Sequence, residues 1–293
     1  MRVYLRIAPW WILVFLLLAL PCFGGGLVKV SWSPQELRQG EVLSVMVRPE
    51  AEVTSVKGDL DGTPIYFYKL KRGRLAGIVG VDLATSPGRH FLRVEAKDPE
   101  GNFFERIFQV QVEAGGFEVQ RLTLPEELVT LKGEALQRVL AENRKLKGIF
   151  NQVKPERFWH HPFIKPVEGP ITGSFGLHRI LNDKPRSPHS GVDIGAPEGA
   201  EVASCNDGIV VFVQELYLCG KTIIIDHGYG LYSMYFHLLE TQVQEGDGVG
   251  VGDCIGLVGA TGRVTGPHLH WGIRLLGARV DPYSLLTVIP PKR

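Results

Sequence analysis

GPHLHWGIRL, residues 266–275, combines a strand pattern with two closely spaced histidines. The apolar run 269–275 predicts a β-strand, and the Gly-Pro pair before it predicts a tight turn. His268 and His270 flank Leu269, and residues two apart in a strand point to the same face. Two imidazoles on one face of a strand can reach a single metal ion and its bound water together.

Three further runs predict strands upstream of this one: GIVVFVQ (208–214), KTIIID (221–226) and LYSMYFH (231–237). The segment EGDGVGVGD (245–253) invites a nucleotide-binding interpretation. It lacks the GxGxxG spacing and the strand–turn–helix context, so it predicts a glycine-rich turn instead. Residues 161–289 are therefore expected to form one antiparallel β-domain.

Residues 27–115 also alternate between apolar and polar positions, as half-buried strands do. The alternating apolar residues are Leu43, Val45, Val47, Leu92, Val94, Ala96, Phe104, Phe108, Val110 and Val112. Turn dipeptides such as Asp61-Gly62 separate the runs. Six or seven short strands predict a small β-sandwich of immunoglobulin-like kind, which we expect to act as a spacer or binding module without chemistry of its own.

Residues 116–160 change to the period of an amphipathic helix and predict a helical linker. Gly133 weakens the early part of this pattern, and Gly148 is a candidate helix end. A rigid arm between the domains and a helix packed against either of them are both compatible with the pattern. The whole chain is thus expected to be mainly β.

The first 24 residues resemble a secretory signal peptide. Arg2 and Arg6 precede an apolar run that Pro21 and Gly24 end. Cleavage would release an exported protein into the periplasm or cell envelope; an uncleaved anchor is the alternative and would bring a transient contact with the inner membrane. The 293-residue chain has a net charge of 32 − 31 = +1, which argues against a nucleic-acid-binding protein.

Export would leave three cysteines in an oxidising compartment. Cys205, Cys219 and Cys254 are an odd number, so that at most one pair can form. We favour three small, packed thiols over a disulfide bond that the sequence does not assign.

Eight of the nine histidines follow residue 159, so this part of the chain is the place to look for a metal site. His189 and Asp193 lie four residues apart in HSGVD, and His237 lies at the end of a predicted strand. Each motif alone is weak evidence for a metal site. The combination is stronger, because His-x-x-x-Asp, the lone histidine and His-x-His occur in order within one small domain.

At this point the sequence resembles the LytM/lysostaphin family of zinc metallopeptidases. The resemblance covers about residues 165–285 and rests on HSGVDIGAP (189–197), IIIDHGYGLYSMYFHL (223–238) and GATGRVTGPHLHWGIR (259–274). It implies a groove across the sheet and one Zn²⁺ per chain. The implied zinc ligands are His189, Asp193 and His270, the implied non-ligand catalytic residues are His237 and His268, and the substrate-side loop 175–189 offers Arg179 and Asn182 as substrate contacts.

Two histidines and one carboxylate leave a zinc ion positively charged, with a fourth position open. The chain has no HExxH motif, so His237 or His268 is the expected general base, and the sequence does not distinguish them. The resemblance implies an exported endopeptidase that hydrolyses peptide cross-links of peptidoglycan. The alternatives are a non-catalytic wall-binding regulator of other hydrolases and a secreted protease that acts on glycine-rich proteins.

Overall fold

A computed structural model describes residues 27–123 and 130–287 of the chain. The expected signal peptide, residues 1–24, lies outside this range, as do the last two residues of the expected C-terminal domain. Within the described ranges, no helix is both long enough and apolar enough to cross a bilayer.

The structure is mainly β, as the sequence predicts. The strands are β1 (Val28–Ser33), β2 (Leu37–Arg38), β3 (Val42–Pro49), β4 (Ser55–Leu60), β5 (Thr63–Pro64), β6 (Tyr68–Lys69), β7 (Leu75–Gly80), β8 (Gly88–Lys97), β9 (Phe103–Glu113), β10 (Val119–Leu122), β11 (Ile171–Gly173), β12 (His178–Leu181), β13 (Lys184–Pro185), β14 (Gly191–Ile194), β15 (Glu201–Ala203), β16 (Gly208–Leu216), β17 (Gly220–Asp226), β18 (Leu231–Thr241), β19 (Gly248–Val249), β20 (Cys254–Val258), β21 (Leu269–Leu275) and β22 (Ala278–Val280). The helices are α1 (Gly133–Phe150) and α2 (Pro282–Leu286), and Lys71–Gly73 forms a 3-10 turn.

The N-terminal part is a sandwich of two sheets, with strand orders β1-β3-β7-β6 and β2-β9-β8-β4-β5. Val45 and Val47 of the first sheet and Leu92 and Val94 of the second are fully buried in one shared core. Polar residues alternate with them and face outward, because successive strand residues point to opposite faces. The predicted β-sandwich is confirmed, and its immunoglobulin-like kinship stays a prediction.

The C-terminal part is built on a ten-stranded sheet with the order β11-β14-β21-β18-β17-β16-β19, to which β15, β20 and β22 attach. Both faces of its central strands are buried, since Ile223, Ile224 and Ile225 are all fully covered. The sequence therefore shows continuous apolar runs here rather than alternation. Trp271 of β21 is fully buried as well.

The linker is only partly helical. Residues 119–122 form β10, which pairs parallel with β12 of the C-terminal part, and the helix begins only at Gly133. Gly148 lies inside α1 and does not end it. The helix packs on the C-terminal sheet, where Ile149 and Phe150 contact a buried cluster that includes Tyr232, so it is a packed helix and not a free arm.

The sandwich is held against the C-terminal sheet. Ile78 of β7 belongs to the same buried cluster as Val280 of β22. The Asp82 carboxylate also accepts three hydrogen bonds from Arg279: one from the backbone N–H at 2.8 Å and two from the guanidinium at 2.6 and 2.9 Å. The shared core and this bidentate ion pair fix one part relative to the other.

Candidate metal centre

Four adjacent strands bring one row of residues across the sheet. Gly173 of β11 pairs with Asp193 of β14, Asp193 pairs with His270 of β21, and His270 pairs with Phe236 of β18. Side chains of directly opposed residues lie on the same face, so the carboxylate and the imidazole meet there. The Phe236 ring stacks parallel on His270, with centroids 5.0 Å apart.

Two glycines leave room for these ligand-type side chains. A Cβ atom on Gly173 would lie 2.3 Å from the Asp193 Oδ2 atom. A Cβ atom on Gly191 would lie 2.6 Å from His270 Nε2. Neither distance is compatible with a real side chain, so the site requires glycine at both positions for steric reasons.

Three donor atoms converge at the centre of the site. His189 Nε2 lies 2.9 Å from His270 Nδ1 and 3.0 Å from Asp193 Oδ1, and His270 Nδ1 lies 2.9 Å from the same carboxylate oxygen. In the described part of the chain, these three residues form the one His/Cys/Asp/Glu group found with metal-ligand spacing. Ligand atoms of a tetrahedral zinc ion with bonds of about 2 Å lie roughly 3.3 Å apart, so the triangle fits such an ion closely.

The proton positions also favour a cation. His189 Nδ1 lies 2.9 Å from the Ser174 carbonyl oxygen, so the Nδ1–H donates there and the Nε2 lone pair points to the centre. Two imidazole nitrogens that face each other at 2.9 Å cannot both present lone pairs without repulsion. A divalent cation between them satisfies both nitrogens and the carboxylate together.

Charge states at the site match this donor set. Burial opposes ionisation of Asp193, but the adjacent His189 and His270 imidazoles outweigh it and hold the pKa of the carboxyl far below its ordinary value. Burial lowers the pKa of the His270 imidazole. The site therefore offers an ionised carboxylate and a neutral imidazole, the forms in which these groups bind metals.

His237 lies beside the triangle on a distorted stretch of β18. A register shift in the pairing of β17 with β18 adds a residue here, and His237 has a φ of 66°, which non-glycine residues rarely adopt. Its Nδ1–H donates to the Thr261 carbonyl at 3.0 Å, so that Nε2 remains an acceptor. Burial, reinforced by the nearby His270, lowers the pKa of His237 to about 4. Strained backbone of this kind is common where a functional side chain is positioned.

His268 is the partner of His237 across the site. Their ring centroids are 4.9 Å apart. His268 Nδ1 lies 2.9 Å from the Gly266 carbonyl oxygen and Nε2 lies 3.8 Å from Asp193 Oδ1. Both rings thus have their Nδ1 atoms bound to backbone carbonyls, while their Nε2 atoms are available to a substrate or a water molecule.

A groove of about 700 Å³ runs over this cluster. Its lining includes Leu177, Arg179 and Arg186, together with Cys219 and Arg263. Residues from the linker and the start of α1 also line it, namely Thr130, Leu131 and Leu136. An extended chain can reach the candidate metal centre through this groove.

Of the two residues expected to contact substrate, only Arg179 lines this groove. Asn182 lies at the turn of the β12–β13 hairpin with a φ of 50°, where its backbone N–H donates to the Leu122 carbonyl. Arg263 and Phe236 also line the groove and were not among the residues expected at the site. The available signal was their proximity in sequence, since Phe236 directly precedes His237 and Arg263 lies five residues before His268.

The remaining histidines and the cysteines lie outside the cluster. His160 and His161 are exposed. His227 is fully buried, with Nδ1 2.7 Å from the Asp207 carbonyl oxygen. The three cysteines of the described residues are free thiols, as favoured above.

The comparisons with known proteins agree with this geometry. Residues 187–282 match peptidase family M23. The chain is 39% identical over 122 residues to the DD-carboxypeptidase/endopeptidase Mpg of Neisseria meningitidis, which covers 41% of this chain and 28% of Mpg. It is 40% identical over 112 residues to the peptidoglycan DD-endopeptidase ShyA of Vibrio cholerae, which covers 38% of this chain and 26% of ShyA. The match thus spans only about a quarter of each relative's own length.

A solved structure extends the likeness to most of the chain. A crystal structure of a protein from Pseudomonas aeruginosa, described as a candidate M23 peptidase, superposes with a TM-score of 0.63 at 28% identity. It covers 85% of this chain and 93% of that protein, so the likeness includes the sandwich as well as the C-terminal sheet. The motifs, the site geometry and the family match agree on residues 187–282, and we call the C-terminal part that contains them the M23 domain.

Proposed function

We propose that the chain is a zinc-dependent endopeptidase that hydrolyses peptide cross-links of peptidoglycan after export to the periplasm or cell envelope. The observation that supports this most is the convergence of the His189, Asp193 and His270 donor atoms beside two further imidazoles. The curated relatives named as peptidoglycan DD-endopeptidases support the substrate class. One zinc ion per chain is expected, because three protein ligands leave a fourth position for water or substrate.

A zinc ion held by these residues supplies Lewis-acid polarisation of the scissile carbonyl and of a water molecule. The proton transfers belong to the side chains. His237 and His268 each direct Nδ1 to a backbone carbonyl, so that Nε2 is left as an acceptor beside the candidate metal centre. Either imidazole can take the proton of the attacking water. Once protonated, it can donate to the oxyanion or to the leaving amine.

The test uses the purified chain with one equivalent of zinc and isolated cell-wall sacculi. We expect soluble fragments to be released, and His268→Ala to slow their release by about 100-fold or more, since general acid–base groups contribute that much. His161→Ala, an exposed histidine outside the groove, is the matched control. Unchanged release by the His268→Ala variant would overturn the mechanism.

The same assay separates the alternative functions. A non-catalytic regulator would release no fragments by itself, with or without zinc. A protease of glycine-rich proteins would digest a glycine-rich polypeptide faster than sacculi. Mass spectrometry of the released fragments identifies the bond that is cut.

A further inference from the structure

A second concave site lies on the sandwich and uses none of the M23 residues. It is a cleft of about 900 Å³ on the first sheet and β9. Its lining comprises Val28, Lys29, Val30, Ser31, Met46, Arg48, Glu50, Arg72, Arg74, Arg106 and Phe108. Five of these eleven side chains are cationic and one is anionic, whereas the chain as a whole is nearly neutral.

The concentration of positive charges in this cleft lowers the stability of the sandwich. Lys29 and Arg48 are directly opposed across β1 and β3, an arrangement that destabilises a sheet. Glu50 compensates only Lys29, with Nζ and Oε1 2.5 Å apart. Among the described residues, no carboxylate lies within ion-pair distance of Arg48, Arg72, Arg74 or Arg106. Uncompensated guanidinium groups around one cleft indicate an anionic ligand, because a bound carboxylate or phosphate would offset their mutual repulsion.

The shape of the cleft restricts the class of ligand. Four consecutive residues of β1 line it, and among the described strands β1 is an edge strand that pairs only with β3. Val30, Met46 and Phe108 add apolar surface between the cations. A concave channel along an open strand edge fits an extended chain with apolar and anionic groups, whereas a planar bilayer would contact only its rim.

We propose that this cleft binds carboxylate-bearing peptides of peptidoglycan, at a site separate from the catalytic groove. This inference rests on the proposed function, which supplies the polymer. The Asp82–Arg279 ion pair fixes the sandwich to the M23 domain. A peptidoglycan strand bound in the cleft therefore raises the local concentration of peptide cross-links at the catalytic groove. The sandwich would then be a wall-binding module and not only a spacer.

Co-sedimentation of the zinc-loaded full chain with sacculi, in the cold and before fragments are released, tests the proposal. We expect the Arg48→Gln/Arg106→Gln double variant to bind at least tenfold more weakly than the wild type. Arg89→Gln/Arg144→Gln, which removes the same charge from exposed positions outside the cleft, should bind as the wild type does. Equal thermal midpoints of the two double variants exclude a folding defect.

The chemistry of the ligand is tested in the same assay. Sacculi whose carboxylates have been amidated should bind the wild type at least tenfold more weakly, and added salt should weaken binding to untreated sacculi. Equal binding by the two double variants, or no effect of amidation, would overturn the proposal. So would binding to phosphatidylglycerol vesicles in place of sacculi.

The outcome is distinguishable from a failure of the proposed function. Cleavage is measured separately, on soluble cross-linked wall peptides with the wild-type chain. If the chain cuts none of them but binds sacculi through Arg48 and Arg106, the endopeptidase proposal fails and the cleft proposal stands. If it cuts them and binding ignores those arginines, the reverse holds.

Discussion

At the scale of single residues, the metal centre requires glycines, whose lack of a Cβ atom leaves room for the ligand side chains. A Cβ atom at Gly173 would lie 2.3 Å from the Asp193 carboxylate. We expect Gly173→Ala to weaken zinc affinity by about tenfold or more, because displaced ligands lose their geometry. Competition with a fluorescent zinc chelator measures the affinity. Gly248→Ala, where an added Cβ meets nothing within 4 Å, should leave it unchanged; an equal affinity in both variants would contradict the steric argument.

The buried imidazole of His227 should make the free energy of unfolding depend on pH. Burial lowers the pKa of His227 from its ordinary 6.5 to about 4, so the folded chain binds this proton less readily than the unfolded chain does. Its contribution to stability is complete above about pH 6.5 and is lost as the pH falls toward 4. Asp207, Asp226 and Cys205 surround it and do not offset the desolvation.

Urea unfolding of the zinc-free chain between pH 7 and pH 4 measures this effect. We expect His227→Gln to have a flatter dependence of the free energy of unfolding on pH than the wild type, by up to about 3 kcal/mol over the range. Exposed His160→Gln should keep the wild-type slope. Parallel slopes for His227→Gln and the wild type would show that this imidazole does not stay neutral in the folded chain.

At the scale of elements, α1 is held to the C-terminal sheet by a few side chains. The Phe150 ring lies edge-on to Tyr232, with centroids 5.6 Å apart, and Arg274 lies over it at 5.6 Å. Phe150→Ala should lower the free energy of unfolding by about 2–3 kcal/mol, since it removes a partly buried aromatic contact. Leu140→Ala on the exposed side of the same helix should change it by about 0.5 kcal/mol or less. Chemical denaturation distinguishes the two, and equal effects would place α1 off the sheet.

Sequence periodicity predicted the strands whose own apolar pattern matches their burial. It failed where pairing with a segment distant in sequence determines the secondary structure. The run 269–275 is β21 from end to end, because its apolar residues are buried on both faces of a central strand. The stretch 119–122 became β10 instead of helix because it pairs with β12, about 60 residues away in sequence. Helical periodicity carries no information about such a partner.

The site shows the same division. His189, Asp193, His237, His268 and His270 were singled out because their residue types and order match a family, and the fold brings all five together. Arg263 and the basic cleft were not predicted, because isolated arginines form no recognisable sequence motif. Their clustering depends on sheet register, which brings residues that are distant in sequence into contact.

At the scale of the whole molecule, the sandwich and the M23 domain are coupled through Asp82 and Arg279. Burial opposes ionisation of Asp82, but its hydrogen bonds with Arg279 keep the pKa of the carboxyl below the ordinary value. Asp82→Ala should destabilise the contact by about 1–3 kcal/mol, because the half-buried guanidinium loses its partner. We expect two separated thermal transitions in place of one, recorded by calorimetry.

Asp59→Ala is the matched control, since Asp59 is similarly exposed but pairs with Arg93 inside the sandwich. It should lower the midpoint slightly and leave one transition. A single transition in Asp82→Ala would mean that the shared apolar cluster alone couples the two parts. Because folded Asp82 has the lower pKa, the coupling in the wild type should weaken as the pH falls below about 4.

The central claim is that three side chains from β14, its preceding loop and β21 bind one zinc ion. Anomalous diffraction at the zinc absorption edge, from crystals of the zinc-loaded chain, tests it most directly. We expect one peak per chain, about 2 Å from His189 Nε2, Asp193 Oδ1 and His270 Nδ1. A strong peak bound elsewhere, or zinc-loaded crystals with no peak at these three atoms, would contradict the account.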